Sequence, residues 1–206
     1  MKREEKSEQS KEKIIQAALQ EFGQCGYETA STNNMCKQHN ISKGLLFHHY
    51  ASKDELFLVC VKRCFEALAE RLKEVLPEQA SDAKESLNQY FEIRFEFFKA
   101  YPLYEQIFYT AIIHTPAHLK EEIEVCRAPL NQLNHTYLSK LLDQVTLKEE
   151  YDRENIIELL NDMSNYLHMK YKGDCLAKPE EKHEMVMKHS KAIKDMILIF
   201  FYGITQ

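Results

Sequence analysis

Residues 30–53 read ASTNNMCKQHNISKGLLFHHYASK, and this stretch decides the fold. It contains no acidic residue. Lys37, Lys43 and Lys53 are basic, and His39, His48 and His49 can become so. Ser31 and Thr32 are N-cap types whose hydroxyls accept the backbone N–H groups left unpaired at a helix start. Met35 and Cys36 give this first short helix an apolar side. His39-Asn40 ends it, because Asn tolerates the left-handed conformation that a helix stop needs. Ile41 is an apolar plug, and Ser42 is placed to cap a second helix carrying Lys43, Leu46, Phe47 and His49. Tyr50-Ala51-Ser52 closes that helix, with Tyr50 expected in the core, and Ser52 caps a third beginning Lys53-Asp54-Glu55.

Two short helices joined by a tight turn, the second rich in donors, make a helix-turn-helix. Such a unit sets the N-terminal part of its second helix, here Ser42-Lys43-Gly44-Leu45, in the DNA major groove. Gly44 costs a helix roughly 1 kcal/mol relative to Ala. Close approach of the backbone to a duplex is a steric reason for it. On spacing alone, the alternative is a three-helix packing unit with a surface lysine.

At these residues the chain resembles the tetracycline-repressor (TetR) family of bacterial transcription regulators. The resemblance rests on Ile14, Ala17, Ala18, Leu19, Phe22, Gly26 and Tyr27. It continues through Ile41-Ser42-Lys43-Gly44-Leu45-Leu46-Phe47-His48-His49-Tyr50-Ala51-Ser52-Lys53-Asp54-Glu55-Leu56. Asn34, Cys36, Asn40 and Leu45 depart from the usual pattern, and Leu45 lies on the reading helix, so no operator sequence carries over. The resemblance implies an all-α chain of about nine helices. A three-helix DNA-binding domain (1–53) would precede a larger helical ligand-binding and dimerisation domain (54–206), with the fourth helix as connector. Lys43 is expected on a phosphate or a guanine edge, and Lys53 and His49 on phosphates. Ser31, Thr32 and Asn33 would touch the DNA backbone. Phe47 and His48 would face the groove, and Leu45 a thymine methyl.

Composition agrees with an all-helical chain. Only 5 Gly and 5 Pro occur in 206 residues, helical periodicity is pervasive, and alternating Val/Ile/Thr strands are absent. The net charge of −5 argues against a generally basic nucleic-acid coat. Its distribution is informative: residues 30–53 carry +3, residues 1–29 carry −1, and residues 54–206 carry −7. A small basic patch on an acidic body suits contact with DNA at one end. The 6 cysteines are scattered, without a C-x-x-C pair, signal peptide or membrane-spanning run, so reduced thiols in a cytoplasmic protein are expected.

Along the rest of the chain, Ile14, Ala17, Ala18, Leu19 and Phe22 make the core face of helix one, which Gly23 and Cys25-Gly26 should stop. Helix four, Ser52 to about Leu76, carries Cys60 and Cys64 four residues apart; that spacing suits a metal pair, but no further ligand is indicated. Residues 90–109 hold nine of the chain's aromatics. They read as a thick core or as the wall of a cavity for an apolar or planar ligand. The resemblance favours a cavity, with Phe91, Arg94, Phe95, Phe98, Tyr104, Phe108, His135 and Tyr137 as candidate lining. Pro129 should kink or split helix seven. Helix eight should end near Lys172, before a loop from Gly173 to Pro179. Helices eight and nine are too apolar for one-sided burial. They are either internal core helices or, as the resemblance implies, half of a four-helix dimer contact made by Ile156, Leu160, Met163, Leu167, Ile193, Met196, Ile197 and Phe200.

These features point to a DNA-binding transcription regulator. It would bind a palindromic double-stranded operator as a homodimer, with a small effector, no cofactor and no membrane partner. The competing classes are an all-helical enzyme using the aromatic cavity and a ligand-independent DNA-binding protein. No Cys/His/Asp arrangement, phosphate loop or metal motif at diagnostic spacing supports catalysis.

Overall fold

The computed structural model describes residues 3–76, 82–149, 151–177 and 182–204. Among them are nine α-helices and no strand. The helices are α1 (Arg3–Thr29), α2 (Thr32–Gln38), α3 (Lys43–His49), α4 (Lys53–Val75), α5 (Ala83–Ala100), α6 (Pro102–Ile112), α7 (Lys120–Leu142), α8 (Arg153–Ala177) and α9 (Lys182–Ile204). A 3-10 turn, Ala117–Leu119, precedes α7. The all-α architecture with an N-terminal helix-turn-helix is the one read from the sequence. No helix among the described residues is long and apolar enough to cross a membrane.

The caps form where the serines stand. Ser31 Oγ accepts the Asn34 N–H at 3.4 Å, Ser42 Oγ that of Leu45 at 3.1 Å, and Ser52 Oγ that of Glu55 at 3.1 Å. The Glu55 carboxylate also takes the Ala51 N–H at 2.6 Å, closing the turn before α4. Asn40 adopts the left-handed conformation, φ 50, and lets the chain turn from α2 into α3.

Helix α1 departs from expectation. It runs through Gly23, breaks at Gly26 (φ 75, ψ 175), and adds a last turn to Thr29. Gly23 is therefore a packing glycine. A Cβ there would lie 2.7 Å from Leu103 Cβ and 2.9 Å from Leu103 Cα, so α6 lies against α1 only because that Cβ is missing. The expected split of α7 at Pro129 and the expected end of α8 before Gly173 do not occur. Helix α7 is a single helix with Pro129 inside it, and α8 continues through Gly173 to Ala177. An interior Gly costs about 1 kcal/mol and an interior Pro about 3 kcal/mol, both within what tertiary packing of a long helix supplies.

The chain packs into two compact units: Met1–Ala67 with Phe98–Ala128, and Leu68–Phe97 with Pro129–Gln206. The first joins the expected DNA-binding segment to the first part of α4, to α6 and to the start of α7. Its core includes Phe22, Met35, Leu46, Phe57, Phe65 and Ile107, all essentially solvent-free. In the second unit Ala83 and Leu87 of α5, Leu141 and Leu142 of α7, Ile156, Ile157 and Leu160 of α8, and Phe201 of α9 form one buried cluster.

Candidate nucleic-acid interface

The reading helix is held from behind and open in front. Leu46 is its buried anchor, and Ile41 and Tyr50 are buried on either side of it. Lys13 Nζ reaches across from α1 to the Asn40 carbonyl at 3.2 Å. The start of α2 is fixed by a group that the hydrophobic pattern did not single out. Glu21 is a buried carboxylate, and its Oε1 accepts the Ser31 N–H at 2.8 Å.

Lys43, Gly44, Phe47 and His48 are exposed and share one face of α3, since residues three or four apart stand together on a helix. Ser42 is exposed, and Leu45 and His49 are half-buried at the edges of that face. Phe47 is 48% exposed, unusual for a phenylalanine next to a well-packed core. The His48 and His49 rings meet edge-on with centroids 5.0 Å apart. Asn33 is exposed at the start of α2, with Ser31 and Thr32 half-buried beside it. Nothing lies within 4 Å of the position a Gly44 Cβ would occupy. No intramolecular contact therefore requires glycine there.

Lys53 is already engaged within the chain. Its Nζ donates to the Glu28 carbonyl at 3.3 Å and sits 4.6 Å from the centre of the Tyr27 ring. This fixes the side chain at the junction of α1 and α4.

The candidate ligand residues divide between the units. In the first, Phe98 and Phe108 pack with centroids 4.9 Å apart, Phe108 meets Phe65 at 5.6 Å, and Tyr104 is half-buried. In the second, the Tyr90 and Tyr137 rings stack at 5.6 Å and Phe91 meets Tyr90 at 5.3 Å. The Tyr90 hydroxyl donates to Asn134 Oδ1 at 2.7 Å and receives Arg94 Nη1 at 3.1 Å, while the Tyr137 hydroxyl donates to the Ser86 carbonyl at 2.9 Å. Phe95 and His135 are exposed. His189 of α9, which the sequence places with that helix's apolar positions without a role, is buried in this unit; burial and the nearby Arg94 charge hold its imidazole down to about 4, so it is neutral. Its place on the inner side of an apolar helix was the only signal.

The thiols on α4 are enclosed. Burial pushes Cys60 up to about 12 and Cys64 further, and Cys64 Sγ lies 3.4 Å from the Tyr104 carbonyl. Among the described residues no three His, Cys, Asp or Glu side chains gather as a metal site.

On α8, the expectation for Ile156 and Leu160 needs correcting. Each is 2% exposed and enclosed by helices of its own chain, so neither is free to meet a partner. Ile193 is also buried, while Met163, Leu167, Met196, Ile197 and Phe200 are half-buried. The outward apolar residues are Leu159, Tyr166 and Met169 on α8, the last two 67% and 74% exposed, with Ile199 (73%) and Tyr202 on α9. Helical spacing alone could not say which of two apolar faces turns inward.

The model of the tetR family of bacterial regulatory proteins matches residues 14–60, and that of the tetracyclin repressor-like C-terminal domain matches residues 81–205. The chain is 27% identical over 151 residues to IcaR of Staphylococcus epidermidis, an HTH-type negative transcriptional regulator of a biofilm operon, covering 73% of this chain and 77% of that one. IcaR of Staphylococcus aureus strain Newman is similar to the same degree, with 72% and 78% covered. Among solved structures, the transcriptional regulator FadR from Bacillus subtilis, crystallised in complex with stearoyl-CoA, superposes with a TM-score of 0.67 at 17% identity over 90% of this chain and 96% of its own. The fatty acid degradation regulator FadR from Bacillus halodurans gives 0.64 at 14% identity over 91% and 97%. At these identities the likeness to solved structures is one of fold.

Proposed function

Since this chain belongs to the tetR family of bacterial regulatory proteins and is accordingly a DNA-binding transcriptional regulator, we propose that it is a homodimeric cytoplasmic repressor released from a palindromic operator by a small apolar or aromatic effector. The observation that carries the DNA reading is the outward face of α3. Lys43, Gly44, Phe47 and His48 stand exposed together on a segment without a carboxylate, and Gly44 has no reason within the chain to be glycine. Residues 1–53 are the DNA-binding part. Lys43 meets a base edge or phosphate, Ser31, Thr32, Asn33, Ser42, His49 and Lys53 meet the DNA backbone, and Leu45 meets a thymine methyl. Repression is inferred from the similarity to IcaR, a negative transcriptional regulator.

Residues 54–206 bind the effector and the second subunit. The effector site belongs to the Tyr90, Phe91, Arg94 and Tyr137 group of the second unit, where stacked rings surround a few fixed polar atoms. The dimer contact uses the outward Leu159, Tyr166 and Met169 with Ile199 and Tyr202, flanked by the half-buried Met163 and Met196, since exposed apolar side chains of this kind need a cover. A two-fold dimer sets two reading helices about 34 Å apart, one helical turn of DNA. Effector binding that alters this spacing by favouring another state, with roughly 1–3 kcal/mol of coupling, releases the operator. The chain is not an enzyme in this reading. Selection of duplexes from a random pool by the purified protein tests it: recovery of a two-fold symmetric sequence is expected, and no enrichment at any salt concentration would refute it.

A further inference from the structure

Where α1 ends and α4 begins, side chains from three elements of the first unit meet. The Tyr27 hydroxyl donates to Asp54 Oδ1 at 2.5 Å and lies 3.1 Å from His118 Nε2. His118 Nε2 in turn lies 3.3 Å from Asp54 Oδ2. Burial and the Asp54 carboxylate push the Tyr27 hydroxyl well above its ordinary range, so it remains a donor. Lys53, the neighbour of Asp54, is fixed by the same group, over the Tyr27 ring and on the Glu28 carbonyl. His118 belongs to the 3-10 turn that connects α6 to α7, far along the chain from the reading head.

We propose that Tyr27, Asp54 and His118 form a latch that ties the α6–α7 connection to the first turn of α4 and thereby positions Lys53 for the DNA backbone. The three are positioning residues and do not touch DNA. The proposal rests on the reading of Lys53 as a phosphate contact.

The geometry suits a device that opens. Tyr27 is rigidly packed against Phe22 and Phe57, with ring centroids 6.4 Å and 4.9 Å away. The other two members are solvent-accessible, with side-chain exposures of 57% for His118 and 40% for Asp54. Water competes for such a pair, so it holds the turn only weakly. A displacement of the α6–α7 connection takes His118 away from Asp54. Asp54 is then left to Tyr27 alone, and the first turn of α4, with Lys53, loosens.

Tyr27 of α1 and Asp54 of α4 both contact the His118 ring, so one side chain of the α6–α7 connection bridges the two helices.

The test is fluorescence anisotropy of the full chain with a labelled duplex from the selection above. Affinities are measured at fixed ionic strength and fixed pH. The wild type is compared with His118→Gln, Tyr27→Phe and the double variant. Each single change is expected to weaken binding about two- to fivefold, the range of an exposed pair. The double variant should bind no worse than the weaker single one, because both changes open the same latch. Wild-type affinity in His118→Gln, or strictly additive losses in the double variant, would overturn the latch. A wild-type chain that binds no duplex overturns the DNA reading itself, and the latch with it.

Discussion

Replacing Gly44 by alanine adds one methyl group to the outward face of α3, and its two consequences have opposite signs. Within the chain, no atom stands within 4 Å of the added Cβ, and the backbone of Gly44 lies outside the left-handed region. The methyl therefore meets no obstruction and restricts the unfolded chain, which stabilises by about 0.4–1 kcal/mol. Gly44 lies in the first turn of a short helix, which favours the lower end of that range. For a chain of this size, 1 kcal/mol corresponds to roughly 2–4 °C in Tm, so a rise of about 1–3 °C is expected. On the duplex, the same methyl occupies the gap between helix backbone and DNA and pushes α3 outward. Displacing one good base contact costs about 1–3 kcal/mol, which is tenfold or more in Kd at the middle of that range. Calorimetric unfolding and an operator titration at fixed salt read the two effects on one preparation. Unchanged affinity in Gly44→Ala would show that Gly44 is not at the DNA, and a lowered Tm would refute the open environment assigned to it.

Lys43→Ala should weaken operator binding by about 1–3 kcal/mol if its contact is to a base, or lower the salt slope by about one if to a phosphate; a titration series in salt separates the two, and no change in either removes Lys43 from the interface. Ile199→Glu should yield a folded monomer in sedimentation velocity, since Ile199 is 73% exposed in its own chain, whereas Ile193→Glu should lose helical circular dichroism, because a carboxylate buried in its own core costs several kcal/mol. His189 titrates lower in the folded chain, about 4, than the ordinary ~6.5 of an unfolded histidine, so the unfolded chain binds its proton first as pH falls. Its contribution to stability is therefore full above about pH 6.5 and is lost as pH drops towards 4, by roughly 2–3 kcal/mol at most. His189→Asn should flatten the fall in Tm between pH 7.5 and 4.5, and a fall identical to the wild type would contradict the buried neutral imidazole.

What the sequence determined by itself is local. Ser31, Ser42 and Ser52 each cap a helix because an N-cap bond spans only three residues. Asn40 takes its left-handed turn for the same short-range reason. The inward placing of Ile41 and Tyr50 followed from a pattern only ten residues long. These interactions close within a turn or two of helix, so neighbouring residues suffice to predict them. Gly173 misled because its cost to a helix is also local, and long-range packing outweighs it. The tertiary structure alone decided the rest. Gly23 reads as a helix stop until Leu103 of α6 is seen against it, and Glu21 and His189 become buried polar groups only once their partner helices are in place. Tyr27, Asp54 and His118 meet across 91 residues of chain, a separation at which sequence spacing carries no geometric information. On α8, Ile156 and Leu159 are equally apolar, and the one that turns inward is fixed by where α5, α7 and α9 stand, since a helix with two apolar faces has no internal preference for either.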